Sequence, residues 1–357
     1  MNFSVDERIE KIPFYPKAKA YGYEEGFIRL SANENPYSPS PRVVAAIMDS
    51  LLFLNRYPDG EMELKELIAE KIGLKKENVV LGCGSNEIIE LVLKISKEEK
   101  RNKVIVPDPT FAFYSIAAKV YGYEVVSVPL RRFHIDLEGI KNEIDERTRL
   151  IFISNPNNPT GTIVKRKEFE SFLGALPPEV LLVVDEAYFE FVESKDFPLS
   201  YRYIKDVPIV CLRTFSKAYG LAGLRVGFGL TDERIASFLE RVRQPFSINV
   251  IAFVAAKVAL GDSDYVKKMI TTILKEKRSL YENLEKIGLD YVPSESNFVL
   301  VKLGKKAEEV ADKLFLEKIV VRWMGPLGLP EYIRVTVGKR EENVRFIHTL
   351  KRIIKKE

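Results

Sequence analysis

The middle of the chain alternates short, wholly apolar runs with longer segments whose apolar residues recur at helical spacing. The apolar runs cover residues 79–81, 104–106, 150–153, 181–184, 209–212 and 226–228. Helical segments, such as 87–95 and 111–120, separate these runs. Strands that are apolar at every position are buried on both faces, and intervening helices make their sheet mostly parallel. The predicted fold class is therefore α/β, with helices covering both faces of a large, mostly parallel sheet.

The pattern changes near residue 264. Long helical segments there surround three strand-like runs at 297–301, 319–322 and 332–337, which predicts a smaller α+β domain. The first 35 residues are rich in Tyr, Pro and Gly, which is typical of an arm that packs on another body. We therefore expect an N-terminal arm at 1–35 that packs on the small domain or on a partner subunit. A large domain at 36–250 and a small domain at 251–357 follow it.

Composition excludes several classes of protein. At 357 residues, with 46% hydrophobic residues, the chain can bury a large core, and its net charge of +4 gives no basis for nucleic-acid binding. No apolar run reaches the roughly 18 residues of a membrane span, and the first residues do not resemble a signal peptide. Two cysteines are too few for a disulfide framework, so we expect a cytoplasmic protein. The only histidines, His134 and His348, lack metal-ligand spacing, so no metal site is predicted.

Ligands of open α/β sheets lie beyond the carboxyl ends of the strands, and a lysine follows one of these ends directly. Lys217 stands among small and hydroxyl residues just after the run 209–212. Burial would lower the pKa of its amine and make it nucleophilic. Thr214, Ser216 and Arg225 in the same segment could bind a phosphate group. Taken alone, a lysine beside a glycine-rich turn would be assigned to the surface.

Two further strand ends carry groups suited to an aromatic cofactor. Asp185 closes the run 181–184, and a buried carboxylate there needs a cation such as a protonated ring nitrogen. The alternative role for Asp185 is to cap the next segment. Asn158 and Tyr188 follow strand ends and could donate hydrogen bonds to a ring oxygen, although Asn, Pro and Gly near residue 158 also suit an ordinary turn.

A fourth strand end, at residues 82–87, carries a glycine-rich turn that leads into a helix. Backbone N–H groups at a helix N-terminus bind phosphate, although a single turn of this kind is weak evidence. The four strand ends together provide an amine, an acid for a ring nitrogen, donors for a ring oxygen and a phosphate site. Those are the requirements of pyridoxal 5'-phosphate, which is the cofactor that the sequence predicts.

With these motifs in place, the sequence resembles the fold-type I aminotransferases and, within them, the histidinol-phosphate aminotransferase family. The resemblance covers nearly the whole chain. It includes Ser-Ala-Asn-Glu-Asn-Pro at 31–36, Arg-Tyr-Pro-Asp-Gly at 56–60, the lysine segment at 214–227, and Tyr-Ile-Arg-Val-Thr-Val-Gly at 332–338. The lysine segment is specific for the superfamily, and the first two motifs narrow the match to this family.

The resemblance implies a role for each candidate residue. Lys217 would hold the cofactor as an internal aldimine and then move a proton, while Asp185 would pair with the ring nitrogen and Asn158 and Tyr188 with the ring hydroxyl. Phe111 would stack on the ring, where relatives often carry Tyr. The phosphate would be bound by Ser85, Asn86, Thr214, Ser216 and Arg225. Tyr57 would reach the phosphate of the neighbouring subunit, which implies a homodimer with shared active sites.

The resemblance also implies the substrates. Arg334 and Arg322 would bind the anionic groups of both substrates, with Tyr21, Asn33 and Asn158 nearby, although either arginine could instead form a surface ion pair. The expected reaction is ping-pong transamination between L-histidinol phosphate with 2-oxoglutarate and imidazole-acetol phosphate with L-glutamate, in histidine biosynthesis. The alternatives are an aromatic amino acid aminotransferase and a decarboxylase of a phosphorylated amino acid. A non-catalytic regulator is disfavoured because no DNA-reading segment precedes the arm.

Overall fold

The computed structural model describes residues 6–16 and 26–355. Within them the strands are β1 Ile28–Arg29, β2 Val79–Gly82, β3 Lys103–Asp108, β4 Glu124–Pro129, β5 Thr148–Ser154, β6 Leu181–Asp185, β7 Ile209–Thr214, β8 Gly227–Thr231, β9 Tyr291–Val292, β10 Phe298–Lys302, β11 Ile319–Val320, β12 Arg322–Trp323 and β13 Tyr332–Thr336. The helices are α1 Glu7–Glu10, α2 Pro41–Ser50, α3 Glu61–Ile72, α4 Gly84–Ile95, α5 Phe113–Val120, α6 Leu137–Asn142, α7 Arg166–Gly174, α8 Glu233–Val242, α9 Val250–Gly261, α10 Ser263–Lys286, α11 Ala307–Leu316 and α12 Arg340–Lys355.

The largest sheet has seven strands in the order β2-β8-β7-β6-β5-β3-β4. Five of its strands are parallel to one another: β3, β4, β5, β6 and β7. Strand β8 runs antiparallel to both of its neighbours, β2 and β7. Successive side chains of one strand enter different cores: Leu182 and Val184 lie in one apolar cluster, and Leu181 and Val183 in another. Both faces of the sheet are therefore covered, which confirms the predicted α/β architecture and explains why these strands are apolar throughout.

A smaller sheet follows the large one in the chain. It is antiparallel in the order β12-β13-β10-β9, and α10, α11 and α12 pack with it in a third apolar cluster. Leu30 from the segment after β1 lies in the same cluster, and β1 pairs in parallel with β11. Residues 28–30 therefore pack with the elements around the smaller sheet. Of the helices that the structure describes, none has both the length and the hydrophobicity needed to cross a membrane.

The predicted strand at 319–322 is in fact two short strands. Ile319–Val320 pairs with β1, and Arg322–Trp323 pairs with β13. The single predicted run therefore contributes one strand to each of two sheets. The two-residue strand β9 was not predicted, because two residues carry no periodicity that a sequence pattern can register.

The expected domain boundary after residue 250 coincides with the start of α9. The buried side chains of α9, such as Phe253 and Leu260, belong to the core of the large sheet, whereas Ile273 and Leu280 of α10 belong to the core of the small one. We therefore propose that the division lies at Asp262, between α9 and α10.

Candidate active site

A cavity of about 530 Å³ lies at the carboxyl ends of β5, β6 and β7, a volume within the ordinary range for small-molecule sites. Its walls come from the large domain, from the smaller sheet and from the segments around residues 15 and 31–34. The candidate residues that line it are Asn33, Ser85, Asn86, Phe111, Asn158, Asp185, Tyr188, Thr214, Ser216, Lys217, Arg225, Arg322 and Arg334. The chain therefore brings together side chains from strands that are far apart in sequence.

Of the described residues that line this cavity, Lys217 is the only lysine. It follows β7, and its Nζ atom donates a hydrogen bond to the carbonyl oxygen of Ala32 at 3.0 Å. Burial, assisted by the positive charge of Arg334, lowers the pKa of Lys217 to about 8. A substantial fraction of the amine is therefore neutral near physiological pH and can act as a nucleophile or base.

Asp185 is the last residue of β6 and is 5% exposed. Its Oδ1 atom accepts from the backbone N–H of Ala187 at 3.1 Å, and its Oδ2 atom accepts from the hydroxyl group of Tyr114 at 2.7 Å. Burial raises the pKa of Asp185 to about 6, and the Tyr114 hydrogen bond opposes that rise. No salt bridge to Asp185 exists within residues 6–16 and 26–355, so a cation from a ligand would stabilise this carboxylate.

A candidate anion site, called the anion cradle below, lies where the N-terminus of α4 at Gly84 and Ser85 approaches Arg225. Gly84 has φ +71°, and a Cβ atom there would lie 2.5 Å from Nη2 of Arg225. A Cβ atom at Gly227 would lie 2.7 Å from the backbone nitrogen of Ser85. Arg225 itself has φ +56°, a conformation that costs energy for a residue with a side chain. These glycines let a guanidinium group and a helix N-terminus approach the same point, as a phosphate site requires.

The hydroxyl groups of the lysine segment complete this cradle. Thr214 donates to the Oγ atom of Ser216 at 3.0 Å and accepts from its backbone N–H at 3.1 Å. Arg225 also donates to Ser216 Oγ, at 3.5 Å. Its guanidinium forms no ion pair in the part of the chain that the structure describes, so its charge is available for an anion.

Tyr188 and Asn158, the two groups expected to meet a ring oxygen, each accept a hydrogen bond from a neighbouring side chain. The hydroxyl oxygen of Tyr188 accepts from the Asn33 amide at 2.9 Å, so its own proton remains free to be donated. Burial raises the pKa of Tyr188 to about 12, so the group keeps that proton. Asn158 accepts from Arg334 through Oδ1 at 2.5 Å, which leaves its amide nitrogen as the donor.

Two arginines that line the cavity lie next to each other. Arg322 on β12 and Arg334 on β13 are cross-strand neighbours. Arg334 is 7% exposed and donates to the carbonyl oxygen of Ser31 at 2.6 Å, while its buried Nε atom has no hydrogen-bond partner among the described residues. Burial lowers the pKa of Arg334 to about 10, still cationic at neutral pH. Arg322 donates to the carbonyl oxygen of Pro16. This arrangement favours an anionic ligand.

Sequence reasoning missed Tyr114, the buried residue that donates to Asp185. Tyr114 lies on α5, between the ring of Phe152, stacked at 5.0 Å, and that of Phe111, in edge contact at 5.3 Å. An aromatic residue on an apolar helix face is ordinary core material, and the pairing with Asp185 spans 71 positions of the chain. No local signal marks such a pairing.

One candidate residue lies elsewhere, and another is not among the residues that the structure describes. Tyr57 is 79% exposed, lines no part of the cavity in the single chain, and stacks on Phe246 at 4.5 Å. Tyr21 lies outside the described residues.

The chain is similar to known proteins over most of its length. The family model for aminotransferase class I and II matches residues 25–350. A histidinol-phosphate aminotransferase of Moorella thermoacetica is 42% identical over 330 residues, covering 92% of this chain and 85% of the relative.

Solved structures are similar as well. The histidinol-phosphate aminotransferase of Sinorhizobium meliloti, in complex with pyridoxal-5'-phosphate, has a TM-score of 0.86 at 29% identity and covers 92% of this chain and 91% of its own. That of Clostridium acetobutylicum has a TM-score of 0.85 at 30% identity and covers 92% and 100%. The chain therefore belongs to the aminotransferase class I and II family and, within it, to the histidinol-phosphate aminotransferases.

Proposed function

We propose that the chain transfers an amino group reversibly from L-histidinol phosphate to 2-oxoglutarate, giving imidazole-acetol phosphate and L-glutamate, with pyridoxal 5'-phosphate as its cofactor. One observation carries the proposal. The Lys217 amine, the buried Asp185 carboxylate, the anion cradle at Arg225 and the two arginines Arg322 and Arg334 line one cavity. The similarity to histidinol-phosphate aminotransferases, at 42% identity for the Moorella enzyme, supports the choice of substrate.

The residues present fit this cofactor. The glycine-lined cradle, into which Cβ atoms at Gly84 and Gly227 would intrude, suits its phosphate, with Ser85, Asn86, Thr214, Ser216 and Arg225 as ligands. Asp185 would face the ring nitrogen, Asn158 and Tyr188 the ring hydroxyl, and Phe111 a face of the ring. When bound, pyridoxal phosphate supplies an aldehyde for an amino group and an aromatic ring that accepts electrons.

Lys217 would have two roles in the proposed reaction: attachment of the cofactor and transfer of a proton. Its partly neutral amine would hold the cofactor and would also be the base that accepts the proton from the substrate Cα atom. Asp185, as an anion, would favour the protonated form of the ring nitrogen. Since the product of the first half-reaction would leave before the second substrate enters, one site would serve both half-reactions in a ping-pong sequence.

Arg334 and Arg322 would bind the anionic end of each substrate. A phosphate ester and a distal carboxylate both accept hydrogen bonds from a planar guanidinium, so the same pair serves both half-reactions. Asn33, through its bond to Tyr188, helps to order this wall of the cavity. We retain Tyr21 as a proposed substrate contact on the strength of the family resemblance.

We also propose that the enzyme is a cytoplasmic homodimer with shared active sites. Several exposed apolar side chains lie close to Tyr57, in sequence or, for Phe246, in ring contact, and such an exposed apolar patch often marks a protein interface. They are Met48, Leu51, Leu52, Phe53, Leu54 and Phe246. A partner subunit covering this patch would bring its Tyr57 to the phosphate cradle of the other chain.

The test is a comparison of specificity constants. We expect kcat/KM with 2-oxoglutarate as acceptor to be highest for L-histidinol phosphate and lower for tyrosine and phenylalanine. The reverse order would make the protein an aromatic amino acid aminotransferase. Release of carbon dioxide from a phosphorylated amino acid, with no oxo acid present, would make it a decarboxylase. A solved decarboxylase of L-threonine-O-3-phosphate shares the fold at 22% identity, so the fold itself does not decide between these reactions.

A further inference from the structure

Tyr114 has no role in the proposed chemistry, yet it makes the shorter of the two hydrogen bonds to Asp185. Its side chain is fully buried, and its hydroxyl group donates to Oδ2 of Asp185 at 2.7 Å. The ring of Tyr114 packs against two other rings. It stacks on Phe152 with a centroid distance of 5.0 Å and makes an edge contact with Phe111 at a centroid distance of 5.3 Å. The hydroxyl group is therefore fixed in place by packing and not only by the hydrogen bond.

We propose that Tyr114 is a positioning residue of this site, one that keeps the Asp185 carboxylate ionised and in a single orientation for the ring nitrogen of pyridoxal phosphate. This inference rests on the proposed function. Asp185 has one hydrogen bond on each oxygen, from Ala187 N–H and from Tyr114. These two donors fix both the rotation and the tilt of the carboxylate plane, and each oxygen keeps a lone pair for a ligand cation.

The charge of Asp185 depends on the same hydrogen bond. Burial raises the pKa of Asp185 to about 6, and the bond from Tyr114 is the largest effect that lowers it. Burial and the adjacent carboxylate together hold the pKa of Tyr114 well above its ordinary value, so the group remains a donor. Without the hydroxyl group the pKa of Asp185 would rise further, and a protonated acid could not stabilise a ring cation at neutral pH.

The chain offers a matched control for removal of this hydroxyl group. Tyr123 is 4% exposed, lies in the same apolar cluster as Tyr114, and donates to the carbonyl oxygen of Leu93 at 2.9 Å. It does not line the cavity. Tyr123→Phe therefore makes the same chemical change, and removes one buried hydrogen bond, away from Asp185.

The experiment measures the dissociation constant of pyridoxal phosphate for the wild-type enzyme, Tyr114→Phe and Tyr123→Phe by equilibrium dialysis from about pH 6 to about pH 9. We expect Tyr114→Phe to raise the constant about tenfold near neutral pH, the value of a hydrogen bond to a charged group. The ratio to wild type should shrink as the pH rises, because Asp185 then ionises in the variant as well. Tyr123→Phe should bind like the wild type, with comparable loss of thermal stability in both variants.

A cofactor analogue with carbon in place of the ring nitrogen tests the same point independently. It should bind to the wild type and to Tyr114→Phe with equal affinity, since it presents no cation to Asp185. An equal loss for the analogue, or a ratio that is constant with pH, would mean that Tyr114 is merely structural and would overturn the inference. Unchanged affinity of Tyr114→Phe would overturn the inference alone, whereas a wild type that binds no pyridoxal phosphate would overturn the proposed function with it.

Discussion

At the scale of single residues, burial in the cavity favours the neutral form of two groups that ordinarily carry opposite charges. Burial lowers the pKa of Lys217 to about 8 and raises that of Asp185 to about 6. In an ordinary core such shifts would only reduce stability, but in a cleft they mark groups prepared for reaction. The amine becomes nucleophilic, and the acid is stabilised as soon as a ligand supplies a cation.

Arg334 provides a prediction at this scale. Replacing it with Ala should raise KM for histidinol phosphate and for 2-oxoglutarate by roughly 10- to 100-fold, because a buried charge-assisted hydrogen-bond donor is lost. The visible absorbance of the bound cofactor should not change. The exposed Arg345 on α12 is a control whose replacement should leave both KM values unaltered. Unchanged KM values in Arg334→Ala would remove this residue from the substrate site.

The sequence could place single residues at one edge of the sheet wherever they follow a strand end. Lys217, Asp185 and Asn158 each come shortly after an apolar run, in a parallel sheet these ends share one edge, and all three line the same cavity, while their roles stay predictions. Tyr114 could not be predicted in this way. Its function depends on which strand lies beside α5 and how the helix is rotated, and both are properties of the folded chain.

At the scale of elements, the turn between β2 and α4 gives a second prediction. Gly84→Ala should weaken cofactor binding by about tenfold or more, because the new methyl group would lie 2.5 Å from the Arg225 guanidinium and φ is +71°. Gly174→Ala at the end of α7 is a matched control, since nothing lies within 4 Å of its Cβ position. It should retain full affinity, with stability unchanged or slightly raised. Equal affinities in the two variants would show that the cradle is not a phosphate site.

The elements themselves could be predicted in proportion to their length and burial. The central strands were predictable because burial on both faces requires apolar residues at every position. The run at 319–322 was assigned to one strand because its pattern is continuous, although its two halves pair with different sheets. Pairing of this kind is decided by the partner strand, β1 or β13, and not by the run itself.

At the scale of the whole molecule, the exposed patch around Tyr57 predicts assembly. Leu52 is 82% exposed, and if the proposed homodimer forms through this patch, Leu52→Asp should make the protein monomeric at micromolar concentration in sedimentation measurements, because the variant would bury a charge at the interface. Cofactor affinity should fall as well, since Tyr57 would no longer reach the other subunit. Leu316 is 80% exposed on α11, away from the patch, and Leu316→Asp should remain a dimer. A monomeric wild type with full activity would contradict the shared site.

The central claim is that Lys217 is the residue that holds pyridoxal phosphate, and covalent trapping tests it most directly. The holoenzyme is treated with borohydride and digested, and the peptide that carries the added cofactor mass is sequenced by mass spectrometry, with Lys217→Ala as the control. We predict that the modification lies on Lys217 in the wild type and is absent from the variant, which should also lack visible absorbance. Modification of any other lysine, or unchanged absorbance in Lys217→Ala, would contradict the account.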